Sequence, residues 1–549
     1  MSKAILEALI APGAAFELSR ENVLGERMLV FRHRPSSLRA LLERSEQFGD
    51  AEYLVFGERR VSFRAHLRAV ASVAAAFSER FQVRKGDRVA ILAANCPEWI
   101  IAFWAAASLG AITVGMNGWW TADEIEYALE DSAPRLLLAD AKRLSRLSAD
   151  LRLPALEIES EFQRLLEHPA HRLPPTPIAE DDRAVILYTS GTTGRPKGVV
   201  STHRNILALL GLQSLHGARI FAGREPAELA RMRHCRLTSN PLFHVSGLYS
   251  SAIAHLATGT RSVWTVGRFD AGQVLESIES ERVNGWSPQG AMAMRVLRHP
   301  ELDRYDRSSV TMIGCGGAPV PRDVQDGLRR IFPNLGHGLA VGYGLTECTA
   351  LATINYGEEL ERWPDSVGEP LPGVALEIRD EHQRPLPEGS EGEVTIRSPL
   401  VMLEYWQNPR ATAESVAPGR WLRTGDIGRM EAGRLFLCSR RADLILRSAE
   451  NVYPAEVEQR LSLHPGVLEV AVIGVDSPEL GQEVKAIVVA RSGHAPGREE
   501  LEAFAARTLA HYKVPRHWEF RSEPLPRNAS GKVVRHLLRE PGVKPADED

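Results

Sequence analysis

YTSGTTGRPKG, running from Tyr188 to Gly198, sets three glycines, four Ser/Thr hydroxyls and a lysine within eleven residues. A run so rich in backbone donors and hydroxyls is suited to holding phosphate. Spacing excludes a P-loop, which needs its second glycine directly before the lysine and a Ser or Thr directly after it. Here Pro196 precedes Lys197 and Gly198 follows it. AVILYTS (Ala184 to Ser190) reads as a buried strand, and THRNILALL (Thr202 to Leu210) as a helix start. The expectation is an anion-wrapping loop between strand and helix. The alternative is a solvated Ser/Thr/Gly linker, but linkers seldom hold a lysine and a proline in so compact a frame.

Outward from this loop the chain alternates strands and helices. RVAILAAN, PEWIIAFWAAASLG and AITVGMN give strand, helix, strand, a crossover of a parallel sheet, and a further strand is expected at Leu136 to Ala139. Beyond the loop, LTSNPLF is followed by GLYSSAIAHLA, RSVWTV by AGQVLESIESE, and TMIGCGG by RDVQDGLRRIF. This pattern predicts a large α/β body with doubly wound parallel sheets. After about Asp365 come short strands and turns, with EGSEGE marking a tight hairpin. Past Arg440 a small α+β module follows as helix, strand, strand, helix, and residues 541–549 read as a frayed tail.

At 549 residues the chain exceeds the size of a single core, so more than one domain is expected. Hydrophobic content of 44% and charged content of 25% are ordinary for a soluble globular protein, and a net charge of −4 leaves no basic footprint for nucleic acid. The five cysteines form no C-x-x-C pair, which argues against zinc or redox chemistry and for reduced thiols in the cytoplasm. Ile100 to Trp120 is 21 residues without a formal charge, long enough to span a membrane. Its glycines divide it instead into a buried helix, Glu98 to Leu109, and a strand, Ala111 to Met116, so no integral membrane segment is expected.

Four further stretches share the character of the loop. GCGGAPV (Gly314 to Val320) is a strand end opening into a helix, with glycines that allow close ligand approach. VGYGLTE (Val341 to Glu347) places Tyr343 between Gly342 and Gly344, then a hydroxyl and a carboxylate. RTGDIG presents Asp426 in a turn, and PRNASGKVVR presents Lys532 after a Ser-Gly bend. In this order the blocks resemble the acyl-adenylate-forming superfamily, over about Ala40 to Leu538. NPLFHVSGL (Asn240 to Leu248) and SAENVYPAEVE (Ser448 to Glu458) resemble its acyl-CoA synthetase branch most.

The resemblance implies a chemistry and assigns roles. A carboxylic acid is activated by ATP to acyl-AMP with release of pyrophosphate, then passed to coenzyme A. Thr189, Ser190, Gly191, Thr192, Thr193 and Gly194 would hold the β- and γ-phosphates, with Lys197 beside them. Tyr343 would stack on adenine against Gly317, Ala318 and Pro319. Gly344 would lie close to the nucleotide, and Thr346 would bond the α-phosphate. Glu347 would hold Mg2+, Asp426 and Arg440 would take the ribose, and Lys532 would be the catalytic cation. His244 would line the mouth of an acyl pocket together with Trp286, Val341 and Gly342. The bland alternatives are a helix-surface Lys197, a core Tyr343, a turn Asp426 and a satisfied core His244.

NGWSPQGAMAM (Asn284 to Met294) carries no charge, and no acid stands between Cys235 and Thr265. An apolar medium- or long-chain, aryl or polycyclic acid is therefore expected rather than acetate or an amino acid. The domains are expected as a body over 1–438, a hinge over 439–442 and a mobile cap over 443–549. At the junction the chain departs from the family pattern: Ser439 replaces a glycine, Ala442 takes the polar hinge position, and Ser448 and Ala449 replace a glycine pair before Glu450. Those positions serve entry of the thiol. Two rivals remain: a carrier-protein phosphopantetheine as acceptor, and a nucleotide-binding module without turnover. A homodimer is also left open.

Overall fold

The computed structural model describes residues 3–148, 152–189, 196–223, 225, 234–289, 292–318, 320–440, 443–447, 450–477, 480–491, 493, 495–527 and 533–538. The expectations for Ser190, Gly191, Thr192, Thr193, Gly194, Pro319, Ala442, Ser448, Ala449, Lys532 and the 541–549 tail lie outside the described residues.

The predicted crossover forms. Arg88–Leu92, helix Pro97–Ser108 and Ile112–Gly115 are joined in parallel register, Arg88 opposite Ile112, and Leu136–Ala139 flanks the other side. Apart from Glu98 in its first turn, helix Pro97–Ser108 is apolar all round and buried all round. Trp99, Ile100, Phe103 and Trp104 have no exposed surface, and Gly110 at φ +65° turns the chain into the strand. No helix among the described residues is long and apolar enough to cross a membrane.

The neighbourhood of the phosphate loop corrects one expectation. Arg183–Thr189 is the predicted strand, but the chain returns antiparallel to it as Lys197–Thr202 before helix His203–Phe221 begins. The loop thus joins two strands, and Lys197 stands on a strand opposite Thr189 rather than on a helix surface. Val199, Val200 and Thr202 are β-branched and favour extended backbone. The helix starts where predicted. Thr202 Oγ1 accepts the Asn205 N–H at 3.2 Å, and Asn205 Oδ1 accepts the Thr202 N–H at 2.8 Å.

A second, nine-stranded sheet carries Arg261–Trp264, Cys235–Thr238, Gly285–Trp286, Met312–Gly316 and Leu339–Tyr343 side by side and parallel, with Thr353–Tyr356 antiparallel beyond them. Because strand side chains alternate, Leu237, Trp286, Ile313 and Val341 enter one core with Leu328 of helix Arg322–Ile331. Their neighbours Gly314, Gly316, Ala340 and Gly342 face a cleft.

The β-rich part is antiparallel: Ala375–Arg379, Gly392–Arg397, Trp421–Glu431 and Arg434–Arg440 follow one another. A tight reversal at Asp380 to Arg384, with the Asp380 N–H donating to the Arg384 carbonyl at 3.0 Å, precedes the turn at EGSEGE, where the Ser390 N–H donates to the Pro387 carbonyl at 3.2 Å. Asp426, expected in a turn, stands in a strand at a bulge. Thr424, Gly425 and Asp426 bow against Val394, between the pairs Arg423–Thr395 and Ile427–Glu393, with Gly425 at φ +71°. Strand Arg434–Arg440 stays in this sheet through Ser439 and Arg440, so the body's pairing overlaps the expected hinge.

The C-terminal module follows the predicted order, Pro454–Ser462, Val467–Ser477, Gly481–Ala490 and Arg498–Ala506, on its own core of Val457, Leu461, Val472, Val484 and Leu501. Strand His517–Arg521, parallel to Gly481–Ala490, was not expected: HWEFR has too little apolar alternation to signal it. Among the described residues the module hydrogen-bonds to the body through Gln459 Nε2 to Asp365 at 3.1 Å and Arg298 to the Leu468 carbonyl at 3.4 Å.

Candidate active site

A cleft of about 2290 Å³ runs between the sheets and is closed in part by the C-terminal module. Thr189, Lys197, Thr346, Glu347 and Tyr405 meet at one end of it. The antiparallel hairpin supplies Thr189 and Lys197, and a single turn, Thr346–Cys348, supplies Thr346 and Glu347. The wall beside that turn requires glycine. A Cβ on Gly344 would stand 2.1 Å from the Ala350 carbonyl oxygen. Glu347 is oriented by Tyr405, whose hydroxyl donates to its Oε1 at 2.8 Å, and Lys197 Nζ lies 5.2 Å from the Tyr405 ring centre. Tyr405 was missed in the sequence. It stands 58 positions from Glu347, and no motif links them.

Tyr343 and Asp426 are brought together but not to the cleft wall. The Tyr343 hydroxyl donates to Asp426 Oδ2 at 2.7 Å, and both residues are buried, each 7% exposed. Burial, reinforced by the Asp426 charge, holds the phenol well above its ordinary pKa. Thr424 and Gly425, next to Asp426, do line the cleft, as do Gly316 and Gly317. Ala318 follows them, half-buried, at the end of the strand. The Arg440 backbone pairs opposite Asp426, and Glu450 pairs opposite Arg447 in the C-terminal module. Arg527 and Val533, which bracket the Lys532 loop, bridge one another and both line the cleft. Arg535, also on the wall, is fixed to Asp443 at 3.1 Å and Glu458 at 2.8 Å.

His244 lines the cleft beside Phe243 and Asn240. The Ser246 N–H points at its Nδ1 at 3.4 Å and the Ser246 hydroxyl lies 2.9 Å away, so Nδ1 is the acceptor and Nε2–H remains the donor. Burial lowers this imidazole to about 4, which keeps it neutral at physiological pH.

The acyl-pocket assignments are corrected in part. Gly342 lines the cleft, but Trp286 and Val341 belong to the core on the opposite sheet face, at 1% and 6% exposure. Alternation gives the cleft Ser287 and Ala340 instead. The pocket is also not wholly apolar. Its wall includes Arg236 and His255, and helix His203–Phe221 contributes Gln213, His216 and Arg219.

Residues 41–406 match the model of the AMP-binding enzymes, and residues 456–532 match the AMP-binding enzyme C-terminal domain. The chain is similar to feruloyl-CoA synthase from Amycolatopsis sp, 34% identical over 83% of this chain and 89% of that one. It is similar to a long-chain-fatty-acid–CoA ligase from Bacillus subtilis (strain 168), 31% identical over 91% and 93%. Among solved structures it is similar to o-succinylbenzoate CoA synthetase from Bacillus subtilis in complex with the acyl-adenylate intermediate OSB-AMP. That likeness has a TM-score of 0.78 and 29% identity, covering 92% of this chain and 99% of that one. Matched over both its large and its small part, the chain belongs to the AMP-binding enzyme family.

Proposed function

We propose that this protein is an ATP-dependent carboxylate–CoA ligase acting through an acyl-adenylate. The observation that supports this best is the convergence of Lys197, Thr346, Glu347 and the residues bracketing Lys532 on one glycine-walled cleft. The relatives named as CoA ligases and synthases support coenzyme A as the acceptor.

A substrate carboxylate oxygen attacks the α-phosphorus of ATP, and the bond to the bridging oxygen breaks as pyrophosphate leaves. The thiol of CoA then loses its proton and attacks the acyl carbonyl, and the acyl–oxygen bond breaks as AMP leaves. Negative charge grows on phosphoryl oxygens, so the chain contributes mainly position and cations. In this reading the 189–194 loop and Lys197 hold the outer phosphates, Thr346 bonds the α-phosphate, and Lys532 faces the developing charge. His244 Nε2–H orients the carboxylate. Gly317, Ala318 and Pro319 take the adenine, joined by Tyr343 once it turns from Asp426 toward the cleft. Asp426 and Arg440 take the ribose, with Asp426 exchanging its bond from Tyr343 for one from the sugar. Glu347 fits Mg2+, a hard cation that suits one oriented carboxylate plus phosphate oxygens and supplies charge neutralisation when bound. The cap, 443–549, turns about residues 439–442 on the 1–438 body between the two steps. Five free cysteines fit a reducing, cytoplasmic setting.

A panel of carboxylic acids scored for pyrophosphate release, with and without CoA, tests the reading. Acid-dependent release, with AMP and thioester on adding CoA, is expected. AMP release accelerated only by a carrier-protein phosphopantetheine would reassign the acceptor. No acid-dependent release would leave a nucleotide-binding module.

A further inference from the structure

Arg236 enters the cleft from the middle of the second sheet, while its strand neighbours Cys235 and Leu237 enter the core. Its place is made by Gly285, where a Cβ would stand 1.6 Å from Arg236 Nη1. Nη2 donates to Met312 Sδ at 3.0 Å, a weak acceptor for a guanidinium. Two other enclosed arginines have carboxylates: Arg34 has Glu21 and Glu180, and Arg204 has Glu180 and Asp181. No carboxylate among the described residues pairs with Arg236. Its surroundings are instead His216, His234 and His255, whose protonation Arg236 opposes, with Arg219 adding to the effect at His216. Enclosure lowers the guanidinium to about 10, so it stays charged at neutral pH. On the helix that contributes to the same wall, His216 Nδ1 and Gln213 Oε1 are buried with no hydrogen-bond partner among the described residues. An enclosed charge and two unmet polar atoms on one cavity wall carry a standing penalty that a ligand would remove.

We propose that Arg236 is a substrate-binding residue for a second oxygen-bearing group at the far end of the carboxylic acid, anionic by preference. This rests on the ligase reading above. By register Arg236 pairs with Gly285, and Gly285 with Met312, at the start of the strand whose other end, Gly316, borders the nucleotide end. Four residues of parallel strand span roughly 13 Å, and the arginine's own reach shortens this to roughly 10 Å between the activated carboxyl and the distal group. The body of the acid between them passes a floor of Gly314, Ala340 and Gly342.

The test is pyrophosphate release from three acids of equal length: a plain monocarboxylic acid, its (ω−1)-keto analogue, and the dicarboxylic acid with roughly 10 Å between carboxyl carbons. The native protein should favour the dicarboxylic acid over the plain one in kcat/KM by roughly tenfold to a hundredfold. The keto acid should fall between them, and equality of keto and dicarboxylic acids would overturn the preference for an anion. Arg236→Met should collapse the ratio and Arg236→Lys should restore part of it. Gly285→Ala, which displaces the guanidinium but keeps its charge in the chain, should also collapse it, and serves if the Met variant does not fold. A native preference for the plain acid, or an unchanged ratio in both Arg236→Met and Gly285→Ala, overturns the proposal. No release from any acid overturns the ligase reading, and this proposal with it.

Discussion

The proposed nucleotide end of the cleft and its proposed acyl end are built on different rules. The nucleotide end is made of contiguous loops, in which glycines and hydroxyls that are neighbours in sequence are neighbours in space. The acyl end is made of single residues from separate strands and one helix: Arg236, Gly285, Met312, Ala340 and His216. The first kind of site must bind a ligand with fixed chemistry, and backbone amides suffice. The second kind can change one residue at a time without disturbing the fold. It is therefore where substrate choice can be set.

Removing the proposed catalytic cation should divide the two ends most sharply. Lys532→Ala should slow acyl-AMP formation roughly a thousandfold, since a charge ~4 Å from the developing anion is worth about 4 kcal/mol at an effective dielectric of ~20. Thioester formation from supplied acyl-AMP should be spared, and equal loss in both half-reactions would break the assignment.

Acid should affect the acyl end before the nucleotide end. Burial lowers His66 and His255 to about 3 and His203, His216 and His244 to about 4, against an ordinary value of 6.5. Between those values the unfolded chain binds more protons, so stability is full above about pH 6.5 and is lost as pH falls toward 4. At about 1.4 kcal/mol per pH unit, each corresponds to on the order of 3–5 kcal/mol. His216, His244 and His255 line the cleft toward its acyl side. Melting curves from pH 7 to 4 should therefore shift downward, with KM for the acid rising before KM for ATP. A pH-independent melting temperature would remove the argument.

Tyr405→Phe should lower kcat/KM about tenfold by releasing the Glu347 carboxylate, with most of the loss recovered at raised Mg2+. A defect indifferent to Mg2+ would return Tyr405 to a packing role. Smallest is Ala449→Gly. If this position needs a positive φ, alanine costs roughly 1 kcal/mol, and glycine should speed thioester formation several-fold and reduce accumulated acyl-AMP. Rapid-quench assays that find no accumulated acyl-AMP in the native protein would show that the junction has another solution.

What could be read from the sequence follows the same division. Alternating strands and helices, the split of the charge-free stretch and the motif order were legible because each is local. Trp286 and Val341 were misplaced because an apolar residue in a strand does not reveal which face it takes. Gly285–Trp286 is only two residues long, too short to set a pattern. The return strand Lys197–Thr202 was hidden by its polar ends. Arg236 was passed over because only an acid was sought in that stretch to pair an ammonium, and an unpaired cation has no partner to mark it.

The hairpin beneath the phosphate loop bears on how the leaving group departs. In a strand–loop–helix cradle the positive end of the helix dipole remains aimed at the phosphate after bond cleavage, and the product is held. Here the helix His203–Phe221 begins only after a full return strand, so its dipole is set apart from the loop. On the proposed reading pyrophosphate is then held by the amides and hydroxyls of the loop and by Lys197, with no helix dipole behind them. Weak product inhibition by pyrophosphate is the expected outcome, and with it an activation step that free pyrophosphate reverses only at high concentration.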